Sequence, residues 1–353
     1  MKPVTLLQLR QRSEAFSLVK TFYDLARLTG IPDPQWVTLS KRPCYHVFSV
    51  PKKDGTDRLI EDPDQPLKKA QRMLQKFLQA VYHYLRTDAA YGFLVNAADE
   101  PTPRHLLSHA EQHTGKRWLL NLDLKDFFHQ VKEKDIYRIF IEPPFAMSPT
   151  LALMLSRLTS YQGRLPMGAP TSPILSNFAL VPMDQELLAF AKPRQIRYTR
   201  YADDLTFSST PEITMEIVEK IKAIIGQHGY ELKLSKFKLR RPEERREVTG
   251  LIVTDTDVIL PDDFVPQMEE EIERLRHLTE VMMIMQRADS AWAQEYQDAV
   301  RGKLSFMSMI RGREDTEYRR LYGAYLNAVA PPEDFDAISW MRFNYPFSGD
   351  GRV

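Results

Sequence analysis

Two short apolar segments, each followed closely by aspartate, constrain this chain more than any other feature of its sequence. The segment 117–124, RWLLNLDL, has the length and composition of a buried strand and carries Asp123 near its end. Residues 196–208 predict a tight hairpin, with Asp203 in its turn and Asp204 directly after it. If both segments belong to one sheet, their ends bring three carboxylates close together.

Three neighbouring carboxylates need a chemical reason, because adjacent acids repel each other and raise each other's pKa. An isolated Asp-Asp pair has a structural explanation, since Asp stabilises turns by hydrogen bonding to its own backbone. The third acid, Asp123, instead favours a shared pair of Mg²⁺ ions, which prefer hard carboxylate oxygens. Two such ions about 4 Å apart stabilise the attacking and leaving oxygens of in-line phosphoryl transfer. The acids therefore predict metal-dependent phosphoryl transfer.

The remainder of the chain combines helical patterns with a few strands. The first forty residues have helical spacing, and residues 45–60 predict a hairpin with a turn at 52–55. Further helices are predicted at 66–85, 149–158, 174–190 and 213–225, a strand at 248–253, and three helices after it. This order predicts an α+β fold with a helical C-terminal part.

Three segments resemble motifs of the reverse transcriptases, and most narrowly those of the retron-type bacterial enzymes. Residues 123–128, DLKDFF, are similar to the first catalytic block of that family. Residues 163–173, GRLPMGAPTSP, resemble its template and nucleotide loop, in which Gly and Pro allow close backbone approach. Residues 200–208, RYADDLTFS, resemble its metal-binding hairpin. The resemblance extends over nearly the whole chain.

The resemblance implies a polymerase right hand with fingers, a palm that contains an antiparallel sheet, and a helical thumb. N-terminal helices and fingers are then expected at 1–116. The palm is expected at 117–255, with a fingers-like helical insertion at about 132–165. A helical thumb and C-terminal tail are expected at 256–353.

The resemblance also implies roles for the acids and for one aromatic residue. Asp123, Asp203 and Asp204 would be catalytic and, with the backbone carbonyl of Leu124, would bind two Mg²⁺ ions. In the family an aromatic residue five positions after the first Asp excludes a ribose 2′-OH, and here that residue is Phe128. Ordinary core packing remains an alternative for Phe128, because the adjacent Phe127 must also be placed.

Nucleotide-binding residues are expected at three further places in the chain: Lys52, Lys53 and Arg58 on the early hairpin, Met167 and Gly168 in the loop, and Lys236. Cations beside the β- and γ-phosphates supply the positioning and charge stabilisation that phosphoryl transfer needs. A solvated Lys-rich turn on an edge strand is the alternative for the hairpin. Met167 stands where most relatives have Gln, which predicts altered fidelity or nucleotide affinity.

RNA recognition is expected on both sides of the palm. Residues 109–113, HAEQH, resemble the family's Asn-Ala-x-x-His box, with His109 in place of Asn. Residues 248–250, VTG, match a retron signature, and the basic stretch 233–246 precedes them. A solvated basic face is the alternative for this stretch. Zinc is disfavoured at the histidines because no Cys or third His is near in sequence, and hydrogen bonding within the fingers is their alternative to RNA contact. The expected RNA contacts are His109, His113, Arg240, Arg241, Val248, Thr249 and Gly250.

Composition bears on the partners and the compartment expected for this protein. Lys and Arg total 48 and Asp and Glu 47, so the net charge does not by itself indicate nucleic-acid binding. Cys44 is the only cysteine, which excludes an intrachain disulfide and favours a reducing compartment, the cytoplasm. The first twenty residues lack the apolar core of a signal peptide. No apolar run approaches the roughly 18 residues of a membrane helix, so no membrane partner is expected.

Retron membership would imply an RNA-directed DNA polymerase that uses deoxynucleoside triphosphates and a cognate structured noncoding RNA. Such enzymes prime from the 2′-OH of an internal guanosine and make multicopy single-stranded DNA branched from RNA. They work with an effector or toxin protein in anti-phage defence. Two alternatives stay open: a non-retron bacterial reverse transcriptase, group II intron-related or of another defence type, and a catalytically silent polymerase-like RNA-binding scaffold.

Overall fold

The structure is a computed structural model that describes residues 3–51, 55–284 and 291–330. The helices are α1 (Leu6–Ser17), α2 (Phe22–Thr29), α3 (Asp33–Lys41), α4 (Gln65–Leu85), α5 (Leu106–Glu111), α6 (Phe127–Gln130), α7 (Glu133–Ile141), α8 (Pro149–Thr159), α9 (Ser172–Ala191), α10 (Met215–Gln227), α11 (Phe264–Ile284), α12 (Ala291–Arg311) and α13 (Thr316–Val329). The strands are β1 (Tyr45–Pro51), β2 (Asp57–Pro63), β3 (Trp118–Asp123), β4 (Arg197–Tyr201), β5 (Asp204–Ser209), β6 (Lys238–Arg240), β7 (Glu247–Val248), β8 (Leu251–Val253) and β9 (Val258–Ile259).

The chain divides into two compact units. The first comprises Met1–Thr249 and Val253–Asp257, and the second comprises Gly250–Ile252 and Val258–Val353. The first unit holds α1 to α10 and the main sheet, which confirms the α+β class. In the second unit α11, α12 and α13 pack on one another around buried side chains, which include Leu304, Met307, Leu321 and Tyr325.

The main sheet of the first unit contains both acid-bearing segments. Its strand order is β4-β5-β3-β6, and every neighbouring pair is antiparallel. One face packs on α9 and α10 through apolar residues that include Leu120, Leu187 and Ile225. The predicted hairpin and the predicted buried strand are therefore confirmed, and they are direct neighbours in the sheet.

Local sequence accounts for most of the helix boundaries. Helix α4 begins with Pro66 in its first turn, and the Asp64 carboxylate accepts a hydrogen bond from the Leu67 N–H. Helix α10 has the same kind of cap at Thr214, and Gly229, just after its end, has φ of +81°. No helix in the described part of the chain is both long and apolar enough to cross a membrane.

One predicted element is wrong in detail. Residues 248–253 were expected to form a single strand, but the chain turns at Thr249 and Gly250, where φ is +48° and +83°. Consecutive residues with positive φ are typical of two-residue hairpin turns, so the segment forms β7 and β8 instead. The basic stretch 233–246 also adds the strand β6 to the main sheet, which the sequence pattern did not predict.

Candidate active site

The three predicted catalytic carboxylates converge at one end of the main sheet. Asp123 ends β3 and stands directly opposite Asp204, the first residue of β5. Side chains of directly opposed residues in an antiparallel pair project from the same face. Asp203 lies in the preceding turn, and its carbonyl accepts a hydrogen bond of 3.1 Å from the Leu124 N–H. This bond fixes the turn to the end of β3.

The electrostatics of this cluster favour a bound cation. Burial, followed by the charges of Asp203 and Asp123, raises the pKa of Asp204. Burial and the charge of Asp123 likewise raise the pKa of Asp203. The Lys236 ammonium forms an ion pair with Asp123; burial opposes its charge, yet this carboxylate raises the pKa of Lys236. The predicted nucleotide-binding lysine thus lies beside the acids.

The donor chemistry fits a divalent, oxygen-preferring ion. Within residues 3–51, 55–284 and 291–330 no three His, Cys, Asp or Glu side chains stand in a ligating arrangement. The cation next to Asp123 is the Lys236 ammonium. The carboxylates of Asp123, Asp203 and Asp204 nevertheless supply the hard, anionic oxygen donors that Mg²⁺ prefers.

The buried ion pair of Arg200 and Asp184 supports the turn that carries Asp203. Ala202 has φ of +58°, which is unfavourable for any residue with a Cβ atom. Arg200 is completely buried, and its guanidinium donates to the Ala202 carbonyl over 3.1 Å. The same guanidinium donates three hydrogen bonds to Asp184, at 2.7, 2.9 and 3.3 Å, and Tyr198 donates another to that carboxylate. We expect this network to hold the strained turn.

A glycine allows a second segment to approach the same turn. A Cβ atom on Gly92 would lie only 2.4 Å from the Ala202 nitrogen, so a larger residue requires the backbone to shift. Asn177 donates to the Gly92 carbonyl over 3.0 Å and accepts a hydrogen bond of 3.0 Å from Arg200. Sequence reasoning did not select Gly92, Asn177 or Asp184. For Asn177 and Asp184 the available signal was a polar residue in the largely apolar helix α9, which does not include Gly92.

The burial of His109 and His113 contradicts the prediction that their side chains contact RNA. Both are almost completely inaccessible. The Nε2 atoms of His109 and His113 lie 2.7 and 2.6 Å from the Thr199 hydroxyl, and the His113 Nδ1 lies 2.7 Å from the Ser208 hydroxyl. Burial lowers the pKa of His109 to about 3 and also lowers that of His113, so both are neutral. They support β4 and β5, the two strands joined by the turn that contains Asp203.

The predicted RNA contacts near the end of the first unit divide into buried and accessible residues. Val248 is completely buried, which contradicts a side-chain contact with RNA, and Thr249 lies 3.4 Å from His109 Nδ1. The two predicted RNA-recognition motifs are therefore in contact through His109 and Thr249. Gly250 and Arg241 are exposed, whereas Arg240 is half-buried and pairs with Glu244.

We predict that His113→Ala lowers the free energy of unfolding by about 1–3 kcal/mol, because the buried hydroxyls of Thr199 and Ser208 lose a partner. Chemical denaturation followed by circular dichroism measures this change. The exposed His46 provides the control, and His46→Ala should change stability by less than about 0.5 kcal/mol. A His113→Ala protein that keeps its stability but binds RNA less tightly would restore the RNA-contact hypothesis.

The early hairpin brings Arg58 towards the acids. Arg58 is exposed on β2, and its charge opposes the rise in the pKa of Asp203. Lys52 and Lys53 lie outside the described residues. Of the three predicted phosphate-binding cations of the hairpin, Arg58 alone is among the described residues, and it lies close enough to influence Asp203.

Glu61, which was not predicted from the sequence, connects this hairpin to the loop at Met167 and Gly168. Its buried carboxylate accepts hydrogen bonds of 2.9 and 2.8 Å from Arg164 and one of 3.1 Å from the Met167 N–H. Its own N–H donates to the Met167 carbonyl over 2.7 Å. Burial opposes ionisation, but these donors outweigh it and lower the pKa of Glu61. The loop is therefore held against β2.

The two adjacent phenylalanines occupy different environments. Phe127 is buried in the core beneath the sheet, whereas Phe128 is half-buried at its edge. The Phe128 ring stacks on Phe93, with ring centroids 5.9 Å apart and planes inclined by 30°. Phe127 thus fills the core position, and Phe128 keeps an accessible surface near the end of β3.

Comparisons with known proteins indicate the family of this chain. Residues 50–253, more than half of the chain, match the family described as reverse transcriptase (RNA-dependent DNA polymerase). The chain is 30% identical to the retron Mx65 reverse transcriptase of Myxococcus xanthus, over 75% of this chain and 61% of that protein. It is 31% identical to the retron Mx162 enzyme of the same organism, over 63% of this chain and 50% of that protein.

A third relative matches over more of its length. The retron Se72 reverse transcriptase of Salmonella heidelberg is 28% identical over 92% of this chain and 83% of that protein. Among solved structures, apo telomerase from Candida tropicalis matches with a TM-score of 0.50 and 10% identity, over 85% of this chain and 60% of that one. This structural likeness concerns the fold alone. The three relatives named here are retron enzymes, and the chain belongs to the reverse transcriptase family.

Proposed function

We propose that this protein is an RNA-directed DNA polymerase that extends a primer with deoxynucleoside triphosphates. The observation that carries the proposal is the convergence of Asp123, Asp203 and Asp204 at one sheet end, with Lys236 beside them. Family membership supports the same reaction. The chain spans 61% and 50% of the length of the two Myxococcus xanthus relatives.

Each site residue has a proposed role that follows from its chemistry. Asp123, Asp203, Asp204 and the Leu124 carbonyl would hold two Mg²⁺ ions, which supply charge stabilisation for the attacking and leaving oxygens. Cations near the phosphates neutralise the charge that develops on the leaving pyrophosphate. In this proposal they are Lys52, Lys53, Arg58 and Lys236.

The sugar and the base pair would be contacted by other residues. The accessible part of the Phe128 ring would exclude a ribose 2′-OH and so favour deoxynucleotides. The backbone at Met167 and Gly168, which is held against β2 by Glu61, would contact the nascent base pair. Met167 offers no hydrogen-bonding amide, so we propose that fidelity or nucleotide affinity differs from that with Gln at this position.

The remaining assignments concern the larger organisation. We assign N-terminal helices and fingers to 1–116, a palm to 117–255 with the helical insertion at about 132–165, and a thumb and tail to 256–353. Arg240, Arg241, Thr249 and Gly250 would contact RNA, the arginines through its phosphates. Cys44 is exposed and free, as suits a cytoplasmic protein.

We further propose a retron function, which rests on the identity to retron enzymes and on the turn at residues 248–250. The template would be a cognate structured noncoding RNA. The product would be multicopy single-stranded DNA branched from an RNA 2′-OH. An effector or toxin protein would act with this complex in anti-phage defence.

Two measurements test these proposals separately. The first is extension of a primed RNA template by the purified protein with Mg²⁺ and deoxynucleotides, and the expected result is full-length complementary DNA. Absence of any extension would contradict the polymerase proposal. The second is sequencing of nucleic acid that co-purifies from the host. A branched RNA–DNA species is expected, and linear DNA alone would contradict the retron mechanism but not the polymerase.

A further inference from the structure

Phe93 has an unfavourable backbone conformation at a position next to the candidate active site. Its φ is +60°, a left-handed value that is rare for a bulky residue and costs on the order of 1 kcal/mol or more. A glycine or asparagine would adopt this conformation more easily. The fold therefore retains an aromatic ring where the backbone alone favours a smaller residue, and the ring must have a compensating use.

The surrounding contacts fix Phe93 firmly. The Gln79 side chain, on α4, donates to the Phe93 carbonyl over 2.9 Å and accepts a hydrogen bond of 3.2 Å from the Val95 N–H. These two hydrogen bonds fix the backbone at Phe93, where φ is positive, and at Val95. One position earlier, a Cβ atom on Gly92 would lie within 3.2 Å of the backbone of Tyr201 and Ala202, so this segment passes close to the turn that carries the catalytic acids. The segment 91–95 thus has a defined position relative to that turn.

The ring of Phe93 is directed to the residue proposed to select the sugar. Its centroid lies 5.9 Å from that of Phe128, in a stacked arrangement. Phe128 also contacts Phe127, at 5.2 Å. Phe127 is buried in the core and belongs to the same short helix as Phe128. Phe93 therefore contacts Phe128 from a segment outside the helix that Phe127 and Phe128 share.

We propose that Phe93 is a specificity-determining positioning residue, whose ring sets the position of Phe128 and thereby the discrimination against ribonucleotides. The inference rests on the proposed role of Phe128 as the sugar filter. Gly92 and Phe93 are adjacent, so one segment packs both against the turn that contains Asp203 and against Phe128. Loss of the Phe93 ring would let Phe128 tilt away from the sugar and admit a 2′-OH.

The test measures kcat/KM for dATP and for ATP on one primed RNA template. The variants are Phe93→Leu, Phe93→Gly, Phe93→Tyr and Phe128→Val. We expect Phe93→Leu and Phe93→Gly to lower the dATP-to-ATP ratio by roughly three- to tenfold, the range that one aromatic stack supports. Phe93→Tyr keeps the ring and should keep the ratio. Inactive protein lowers both rates equally, so partial misfolding leaves the ratio unchanged.

The pair Phe93→Leu and Phe93→Gly separates the ring from the backbone. Leu retains the unfavourable φ and removes the ring, whereas Gly relieves the conformation and also removes the ring. Equal losses in both variants support the inference. A ratio that changes with Gly and not with Leu would assign the effect to the backbone and overturn it.

The Phe128→Val variant distinguishes failure of this inference from failure of the proposed function. If Phe128→Val lowers the ratio while neither Phe93→Leu nor Phe93→Gly does, Phe93 does not position the filter, and only the present inference is overturned. If Phe128→Val leaves the ratio unchanged in an active enzyme, the filter role itself is wrong, and the inference about Phe93 is overturned with it. A wild-type protein that extends no RNA template would overturn the proposed function and the inference together.

Discussion

Asp203→Asn is expected to reduce the rate of nucleotide incorporation roughly a thousandfold or more, which corresponds to a loss of about 4 kcal/mol in transition-state stabilisation. Asparagine has the same size but lacks the negative charge that binds a metal ion. Single-nucleotide extension of a primed RNA template with Mg²⁺ measures the rate. The expected change is in kcat, because the metal ion that Asp203 would bind acts on the reacting phosphate.

The same substitution should not damage the fold. Burial and Asp123 raise the pKa of Asp203 in the folded state. Its ionised form is therefore disfavoured by folding, and stability decreases as pH rises from the unfolded pKa through the folded pKa. Removal of this charge should keep or increase the melting temperature at neutral pH in the presence of a chelator. A parallel loss of activity and melting temperature would instead indicate that Asp203 has a structural role.

A nearby acid offers a matched control. Asp126 is exposed and has φ of +41°, a conformation that Asn also tolerates. Asp126→Asn should therefore leave the rate within about twofold of the parent, as expected for an exposed substitution. Incorporation that persists in Asp203→Asn at the parent rate would contradict the assignment of the catalytic site.

Arg200→Ala is expected to lower the free energy of unfolding of the first unit by about 3–5 kcal/mol, because it leaves the Asp184 carboxylate buried without its cation. Both side chains of this pair are 0% exposed. The Ala202 carbonyl loses its guanidinium donor as well. At temperatures where the variant remains folded, we therefore also expect a lower kcat, with a smaller change in the KM for template. Denaturant unfolding and steady-state extension measure the two effects.

An exposed ion pair provides the comparison for Arg200. Arg138 and Glu142 are 3.3 Å apart at the end of α7 in the first unit, with side chains 67% and 55% exposed. Arg138→Ala should cost less than about 1 kcal/mol, since exposed pairs are screened by water. Equal destabilisation by Arg200→Ala and Arg138→Ala would show that burial of the Arg200 pair has little energetic importance. Arg200→Met combined with Asp184→Leu should recover part of the lost stability.

Local sequence patterns predicted most of the secondary structure. The helical stripe at 66–85 corresponds to α4, and the apolar segment that ends near Asp123 corresponds to β3. These predictions succeed because helix and strand periodicity depend on neighbouring residues. The segment 248–253 was misassigned because its apolar residues suggested one strand, whereas a turn at Thr249 requires positive φ that a β-branched residue rarely adopts.

The sequence by itself determined where the acids lie, since Asp123 and Asp204 stand at the ends of locally recognisable strands and Asp203 lies in the hairpin turn. Tertiary structure decided which other polar residues face the site and which face the core. His113 contacts Ser208, 95 positions away, and Glu61 contacts Arg164, 103 positions away. Burial and hydrogen bonding between distant segments depend on how the chain packs. No local pattern distinguishes a histidine that contacts RNA from one that supports a strand.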